Sequence, residues 1–387
     1  MLTEESMSRA RHEIAKAVAS DLGALKDLRQ LVRDLKRPTR IQPRTATTIS
    51  FVGTDGGHNV AGLNPFMAQL MRVVDSNNHE HCMEVLSSNT SLSALDAFHR
   101  ANDTPLLNLM TTVGVTSLSA LARVFSKGDS ERSPSWIQVY RHITEWAVLL
   151  RLVQQPFASD TLIVWDGPLR TKVFAPGLFS TLVDAIDRAI VRSYKERRRR
   201  IFIVGVTKQS KVLERFRLAL ALERTMSQIY PCFLELSGTL IRMAIDWDEY
   251  LSQRERESAA DYRRRILGEE NASATRHDKF SAGQMFFVKF GSRPSDSVWA
   301  ADIWESQAED AQTIFGYLLN DAANGFPIPL FPMCLQRAHD NAALVDFDMD
   351  LFHHSLATAM RAALGDEGPV LDRLALQQVD PAQERYG

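Results

Sequence analysis

Apolar residues recur at helical spacing from about Glu4 to Arg37, with Ile14, Val18, Leu22, Leu25, Leu28, Val32 and Leu35 on one stripe and Pro38 at the end. Charged residues fill the positions between, so the spacing predicts one long amphipathic helix. A stripe this narrow on an end segment suits packing against a partner helix, such as a second copy of the chain. It suits docking on the chain's own core equally well. The period then changes. Ile49-Ser-Phe-Val-Gly-Thr54 reads as a buried strand ending at Asp55-Gly56-Gly57, and Pro65 to Asp75 and Cys82 to Leu86 read as two more, an antiparallel meander. From about Leu92 to Lys127 the pattern is mostly helical. Ser133-Pro134 is a fitting cap and first-turn proline for a further helix, whose buried face carries Trp136, Tyr140, Ile143, Trp146, Ala147, Leu150 and Val153.

Thr161-Leu-Ile-Val-Trp165 is an apolar strand ending at Asp166-Gly167-Pro168-Leu169, followed by a helix from about Pro176 to Tyr194 and the strand Ile201 to Val206. Strand, helix, strand predicts a parallel crossover. A helix from Lys208 to about Ser227 comes next. Cys232 to Leu236 and Leu240 to Ile245 read as a strand pair, and Met285 to Phe290 and Ser297 to Ile303 as late strands. Between them Glu249 to Thr275 is charge-dense, and near the end two helices bracket the loop Gly325-Phe-Pro-Ile-Pro-Leu330. The implied organisation is an N-terminal helix over 1–38 for dimer or partner docking and a main domain over 45–360. That domain carries a helical insertion at about 92–133 and a charged insertion at about 247–280, and a polar tail spans 371–387.

Composition narrows the class. The 387 residues are 45% hydrophobic and 24% charged, enough for a large globular core, and the formal charge of -2 argues that any contact with nucleic acid is made by local basic patches. The best such patch runs from Lys195 through Arg197, Arg198, Arg199 and Arg200, with Arg170, Lys172, Arg188 and Arg192 beside it. Its alternative is a solvated helix end favoured by the macrodipole. Three cysteines with no Cys-x-x-Cys spacing fit a reducing compartment. The charged N-terminus carries no secretory core, and no run of about 20 apolar residues occurs, so a cytoplasmic chain without a membrane span is expected.

The chemistry lies at the strand ends. Two apolar strands each end in Asp-Gly, which places a carboxylate on rigid backbone with room for a metal or phosphate to approach; a lone Asp-Gly is also the commonest turn signal. Glu145 sits at the edge of the apolar face of the helix leading into the second strand, either snorkelling to solvent or pointing into a site. Two hard divalent ions need several carboxylate ligands, which Asp55, Glu145 and Asp166 would supply. Lys208 follows the strand Ile201 to Val206, where an ammonium could hold a phosphate, and His339 could add a ring nitrogen or move a proton.

Taken in order, Phe51-Val-Gly-Thr-Asp55-Gly-Gly, Glu145, Val164-Trp-Asp166-Gly-Pro-Leu169, Val204-Gly-Val-Thr-Lys208-Gln-Ser210, Phe287-Val-Lys-Phe290 and Gly325-Phe-Pro327 with Ala338-His339 resemble the NurA nuclease family from about residue 45 to 355. The resemblance implies an α/β fold with an RNase H-like mixed sheet, flanking helices and a long N-terminal helix. It implies Mn²⁺-dependent (or Mg²⁺-dependent) cleavage of single- and double-stranded DNA with two ions, a homodimer, and partnership with a HerA-type hexameric ATPase in DNA repair or anti-phage defence. Carried over, Asp55, Glu145 and Asp166 are the acidic ligands, with Glu84 the fallback for Glu145, His339 a fourth ligand and Lys208 a supporting residue. Gly57 stands where a serine commonly follows Asp-Gly in the family. The chain has no GxxxxGK[ST], so an external motor would be needed for processive work. Two other readings are an actin-like or sugar-kinase-like phosphotransferase, suggested by Gly53-Thr-Asp55-Gly-Gly, and a catalytically inactive subunit of the ATPase complex. The first lacks a second phosphate motif.

Overall fold

A computed structural model of the chain describes residues 3–44, 49–63, 66–87, 89–126, 135–245, 280–343, 346–368 and 370–371, with backbone alone for 49–63, 67, 346 and 347. The Ser133-Pro134 cap, the charged insertion and the polar tail lie outside the described residues. Two compact units emerge, one made of Met1–Gly53, Pro156–Lys172 and Asp187–Gln336, the other of Thr54–Gln155, Val173–Ile186 and Arg337–Gly387. No described helix is long and apolar enough to cross a membrane.

The first unit holds a six-stranded mixed sheet flanked by helices. Its strands are β1 (Thr39–Arg40), β5 (Asp160–Asp166), β6 (Ile201–Thr207), β7 (Cys232–Glu235), β8 (Gly283–Lys289) and β9 (Val298–Trp304), in the order β1-β7-β8-β9-β6-β5. As the crossover pattern requires, β5 and β6 are parallel, with Asp166 opposite Val206, while β6, β9, β8, β7 and β1 pair antiparallel. Alternation along the strands divides their side chains between two cores. Leu162, Val164, Phe202, Val204, Val206, Phe286, Val288, Ala301 and Ile303 pack with Ile314, Phe315 and Leu318 of α8 (Ala311–Ala323) and with Phe331 and Leu335. On the opposite face Cys232, Leu234, Met285, Phe287 and Ala300 pack against α1 (Glu4–Arg33), α6 (Lys211–Leu222) and α7 (Gly238–Ile245).

The segment Leu240 to Ile245, expected as a strand, is helix α7. The side chain of Ser237 accepts from the Leu240 amide at 3.4 Å and its carbonyl from Ile241 at 3.1 Å. Leu240, Ile241, Met243 and Ala244 are then buried at helical spacing. A short apolar run reads alike in either period, and the cap decides it. In α1 only the second half docks: Leu28, Leu31 and Val32 are buried, whereas every residue from Glu4 to Leu22 is exposed.

The second unit, from Thr54 on, holds most of the expected antiparallel meander, β2 (Ile49–Leu63), β3 (Phe66–Asp75) and β4 (Glu80–Leu86). Around it lie α2 (Leu92–Ala101), α3 (Pro105–Val113) and α4 (Trp136–Val153). Thr104 caps α3 by accepting from Leu107 at 3.2 Å, Pro105 fills its first turn, and Gly114 ends it at φ 75°. Helix α4 packs on β3, β4 and α3, with Trp136, Tyr140, Ile143, Trp146, Ala147, Leu150 and Val153 all buried as the stripe predicts. An antiparallel three-strand meander and, in the first unit, a parallel strand pair joined by a helix are thus both present. Helix α5 (Leu178–Arg197) joins β5 to β6, α9 (Met333–Ala342) follows the Gly325 loop, and α10 (Asp346–Leu364), which the sequence pattern did not signal, comes next.

Candidate functional site

Asp166 is the last residue of β5 and shares the sheet face of Leu162 and Val164. One register position across, β6 ends and Lys208 reaches back, its Nζ 3.0 Å from the Asp166 Oδ2; the two side chains are 29% and 17% exposed. The same ammonium lies 5.3 Å from the centre of the Phe331 ring. A carboxylate and a cation are therefore held, half-open to solvent, at the carboxyl ends of adjacent parallel strands, where crevices in α/β sheets take ligands.

What fixes them is the loop that follows. Gly167 takes φ 131°, a conformation open to glycine alone, and its amide donates to the Val206 carbonyl at 3.1 Å. The chain then folds over the opposite face of the sheet onto a floor of two glycines. A Cβ at Gly205 would stand 2.4 Å from the Gly167 carbonyl oxygen, and one at Gly283 would stand 3.0 Å from the Leu169 Cβ. Leu169, fully buried, fills the space those absent side chains leave.

Asp302 of β9 closes the arrangement. Its carboxylate accepts from the Leu169 amide at 3.0 Å and from the Arg170 Nε and terminal nitrogen at 3.2 and 3.0 Å, and its side chain is only 1% exposed. Burial raises the Asp302 carboxyl above its ordinary value, while Arg170 and the Leu169 amide pull it back. Further along, Ala282 donates to the Leu169 carbonyl at 2.8 Å and Thr171 to that of Phe280 at 2.8 Å. Asp302 was absent from the sequence-derived set. The signal for it is a lone carboxylate in the run Val-Trp-Ala-Ala-Asp-Ile-Trp, which a buried strand tolerates only with a partner.

Several expected positions differ. Asp55 is not at a strand end: β2 continues through it to Leu63, with Asp55 paired opposite Val74, because Asp-Gly-Gly remains hydrogen-bonded to β3 and the hairpin closes only where Leu63 pairs with Phe66. Its side chain lies outside the described residues. Arg170 does not present its guanidinium to an incoming ligand but donates it to Asp302. The basic run Lys195 to Arg200 is exposed throughout, yet the Arg200 amide donates to the carboxylate of Asp160 at 2.9 Å, which sets the run at the first residue of β5. Asp166 is at the other end of that strand, about 20 Å away at ~3.3 Å per residue. Lys172 is exposed and lies over the Phe280 ring at 5.6 Å.

Asp55, Glu145 and His339 belong to the second unit. Glu145, 15% exposed in its side chain, sits 3.4 Å from the Arg141 Nε and 3.3 Å from the His142 Nδ1 on the same helix, and the Trp146 indole donates to the other nitrogen of His142 at 3.2 Å. His339 is exposed in the last turn of α9. Glu84, the fallback acid, is drawn into a buried chain. The Tyr140 hydroxyl donates to it at 2.7 Å, the His99 Nε2 lies 2.7 Å from that hydroxyl, and the His99 Nδ1 lies 3.0 Å from the Thr104 hydroxyl. Burial lowers His99 and raises Tyr140, and so favours the neutral form of each. Glu84, His99 and Thr104 line, with Cys82, Thr144 and Arg151, a cavity of about 140 Å³. Among the described residues, no three His, Cys, Asp or Glu side chains come together in a way that could hold a metal ion. The carboxylate of Asp166 is of the hard-oxygen type that Mn²⁺ and Mg²⁺ take.

Compared by sequence, the chain matches no described protein family and no curated protein. Over nearly its whole length it is similar to solved structures of NurA. One is the crystal structure of the NurA nuclease from Sulfolobus solfataricus, at 11% identity and a TM-score of 0.45, covering 94% of this chain and 99% of that one. Another is a crystal structure of NurA bound to dAMP and manganese, at 12% identity and a TM-score of 0.39, covering 96% of this chain and 100% of that one. A third, NurA with manganese, is 9% identical with a TM-score of 0.34, covering 92% and 98%.

Proposed function

We propose that this chain is a divalent-metal-dependent DNA nuclease that hydrolyses phosphodiester bonds in single- and double-stranded DNA. The observation that carries it is the Asp166–Lys208 pair at 3.0 Å, half-exposed at the carboxyl ends of two parallel strands and held there by a buried clamp. Asp166 provides oxygen for Mn²⁺ or Mg²⁺, and Asp55, Glu145 and His339 are the further donors the motif order singles out. A pair of such ions, when bound, activates water and neutralises charge on the departing oxygen. Lys208, a compact cation on a flexible stem, positions a phosphate oxygen beside Asp166. A structural ion pair is the bland alternative for Asp166 and Lys208. It does not account for the floor of glycines and the buried carboxylate that hold this loop in one place.

As a working complex, the nuclease acts as a homodimer fed by a HerA-type DNA-translocating ATPase, in DNA repair or anti-phage defence. The exposed apolar stripe on the first half of α1 is the surface available for one of these contacts. The basic run Lys195 to Arg200 would hold the DNA backbone at a distance from the cutting site rather than at it.

The test is cleavage of linear DNA by the purified chain in Mn²⁺, Mg²⁺ or EDTA, with and without such an ATPase, beside Asp55→Ala and Asp166→Ala. Loss of cleavage in EDTA and in both variants is expected. Equal degradation by the wild type and both variants would show that the activity does not use this site.

A further inference from the structure

Phe326 is 75% exposed, one of the most exposed large apolar side chains among the described residues. A lone exposed aromatic is common, but this one stands on a loop with little freedom. Gln336, buried at 3%, accepts from the Ile328 amide at 2.7 Å and donates to the carbonyls of Ile328 and Phe331, both at 3.0 Å. The Trp299 indole donates to the Leu330 carbonyl at 2.7 Å, and its ring lies 4.9 Å from that of Phe331. Gly325 is so close to the far side of the loop that a Cβ there would stand 2.3 Å from the Phe331 carbonyl oxygen. Every other large apolar residue of the loop is partly or fully buried, with Ile328, Leu330 and Phe331 packed on the α8 core.

The loop is also tied to the candidate site, because the ring of Phe331 is the one over which the Lys208 ammonium sits at 5.3 Å, and Lys208 bonds Asp166. Phe326 follows Gly325 directly, so its Cα is within about 8 Å of the Phe331 carbonyl, given ~3.8 Å between successive Cα atoms. A solvent-facing aromatic on the same tied-down loop as the ring under the Lys208 ammonium offers the two parts of single-strand recognition: an ammonium for the backbone and, farther along the strand, a flat apolar face for a base.

We propose that Phe326 is a stacking platform for an unpaired base of the DNA strand whose phosphate lies at Lys208 and Asp166. This rests on the nuclease reading and adds a base-binding residue to it. Stacking is tolerant of sequence, since every base has a face, so the platform favours strand ends and single strands without choosing among bases. It also fits substrate in place by gripping the nucleotide rather than by lowering the barrier, which is a KM effect.

The experiment is equilibrium binding of fluorescently labelled oligo(dT), of the same oligonucleotide carrying consecutive abasic sites, and of a blunt duplex, to the full chain in EDTA, where no cleavage occurs. Wild type, Phe326→Ala and Phe326→Trp are compared. Phe326→Ala should weaken oligo(dT) binding about 5- to 150-fold, leave abasic and duplex binding nearly unchanged, and raise KM more than it lowers kcat in Mn²⁺. Phe326→Trp should bind as the wild type does, and the emission of the introduced indole should be quenched by oligo(dT) but not by the abasic strand. Equal oligo(dT) affinity of wild type and Phe326→Ala, with cleavage intact, would overturn the platform and leave the nuclease. If Phe326→Ala binds DNA normally but changes the mass of the particle by light scattering, the side chain faces protein and the platform is wrong. A wild type that neither binds nor cleaves DNA would remove both readings.

Discussion

Asp302 and Arg170 form a buried, two-pronged ion pair with contacts at 3.2 and 3.0 Å, and the same carboxylate takes the amide of Leu169. One side chain of β9 thus holds both backbone and side chain of the loop that begins at Asp166. Removing one member leaves the other's charge buried, which costs about 3–5 kcal/mol. Asp302→Ala is expected to lose that much stability in urea denaturation and most of its cleavage. Arg170→Met leaves a carboxylate that burial already raises, so its fold should be less penalised in acid, where protonation relieves the buried charge, than at about pH 8. A variant equally destabilised at both would mean that Asp302 does not depend on the guanidinium.

Gly205 is the sharper probe of placement. Its added Cβ would collide with backbone, the Gly167 carbonyl at 2.4 Å, and with Leu169 at 3.2 Å. Backbone cannot rotate away as a side-chain tip does, so the Asp166 loop must shift. Gly205→Ala should cost about 1–3 kcal/mol by overpacking and, by moving Asp166 and its neighbours on the order of 1 Å, reduce kcat about 100-fold. Gly114→Ala is the control, with open space at its Cβ and only the left-handed φ of 75° to oppose it. It should cost about 1–2 kcal/mol without touching kcat. Similar kcat for the two variants would remove the link between the glycine floor and the site.

If Asp166 takes the divalent cation as proposed, Lys208 competes with that ion for the carboxylate, which gives one substitution two effects of opposite sign. Lys208→Gln removes the ammonium 3.0 Å from Asp166. Mn²⁺ binding, read by calorimetry on the chain alone, should tighten several-fold. Cleavage at saturating Mn²⁺ should fall about 100-fold or more, as when a donor to developing charge is lost. Weaker metal binding by this variant would place Lys208 as a support of the ligand set rather than a competitor.

Much of this was legible in the sequence because the strands that carry the site are unambiguous. Thr161 to Trp165 and Ile201 to Val206 are short apolar runs separated by a helix-length segment, and right-handed crossover leaves little choice but parallel pairing. Asp166 follows as the residue at the first strand's end. Asp55 failed the same logic because Gly-Gly after Asp signals a turn locally, while a long partner strand supplies hydrogen bonds that keep it extended. The Arg170 partner was out of reach for another reason: Asp302 is 132 positions away, and only the sheet order brings β9 beside β6. Likewise a run of arginines is visible in a sequence, but which end of a strand it adorns depends on the crossover helix's direction.

Glu223, just past the end of α6, ties that helix to α1 through Arg29 at 2.5 Å and Arg33 at 2.8 Å, and the bonds from Arg33 and Arg29 lower its carboxyl from 4.5 to about 2. Between those values the unfolded chain takes up a proton and the folded chain does not, so the pair's contribution is complete above about pH 4.5 and gone near pH 2. Glu223→Gln should melt below the wild type at neutral pH, with the gap closing as the pH falls through that window and narrowing in high salt, since the arginines are partly exposed. A melting gap that stays constant from about pH 7 to pH 3 would assign the effect of the substitution to something other than this carboxylate's charge.

The first half of α1 presents an exposed apolar face. Met7, Ile14, Val18 and Leu22 are 39%, 62%, 58% and 50% exposed and lie on one face of a helix segment that no described residue covers, although the same stripe is buried farther on at Leu28 and Val32. Nineteen residues of helix from Glu4 to Leu22, about 28 Å at ~1.5 Å per residue, are marginal alone in water and gain most from burial of that face. A second copy suits it. Paired antiparallel about Ile14 and Ala15, Met7 comes opposite Leu22, Glu13 opposite Lys16, Arg9 close to Asp21 and Val18 opposite the stem of Arg11, so apolar residues meet at the centre and ends of the seam and opposite charges flank it. If the wild type pairs in this way, Ile14→Glu with Val18→Glu should convert the particle from dimer to monomer by light scattering. Because both sites are exposed in the single chain, the fold of the main units should change in stability by about 0.5 kcal/mol or less. A wild type that is monomeric at tens of micromolar would reassign this stripe to the ATPase, to be checked by whether the double variant still copurifies with it; an unchanged dimer in the double variant would place the subunit contact elsewhere on the chain.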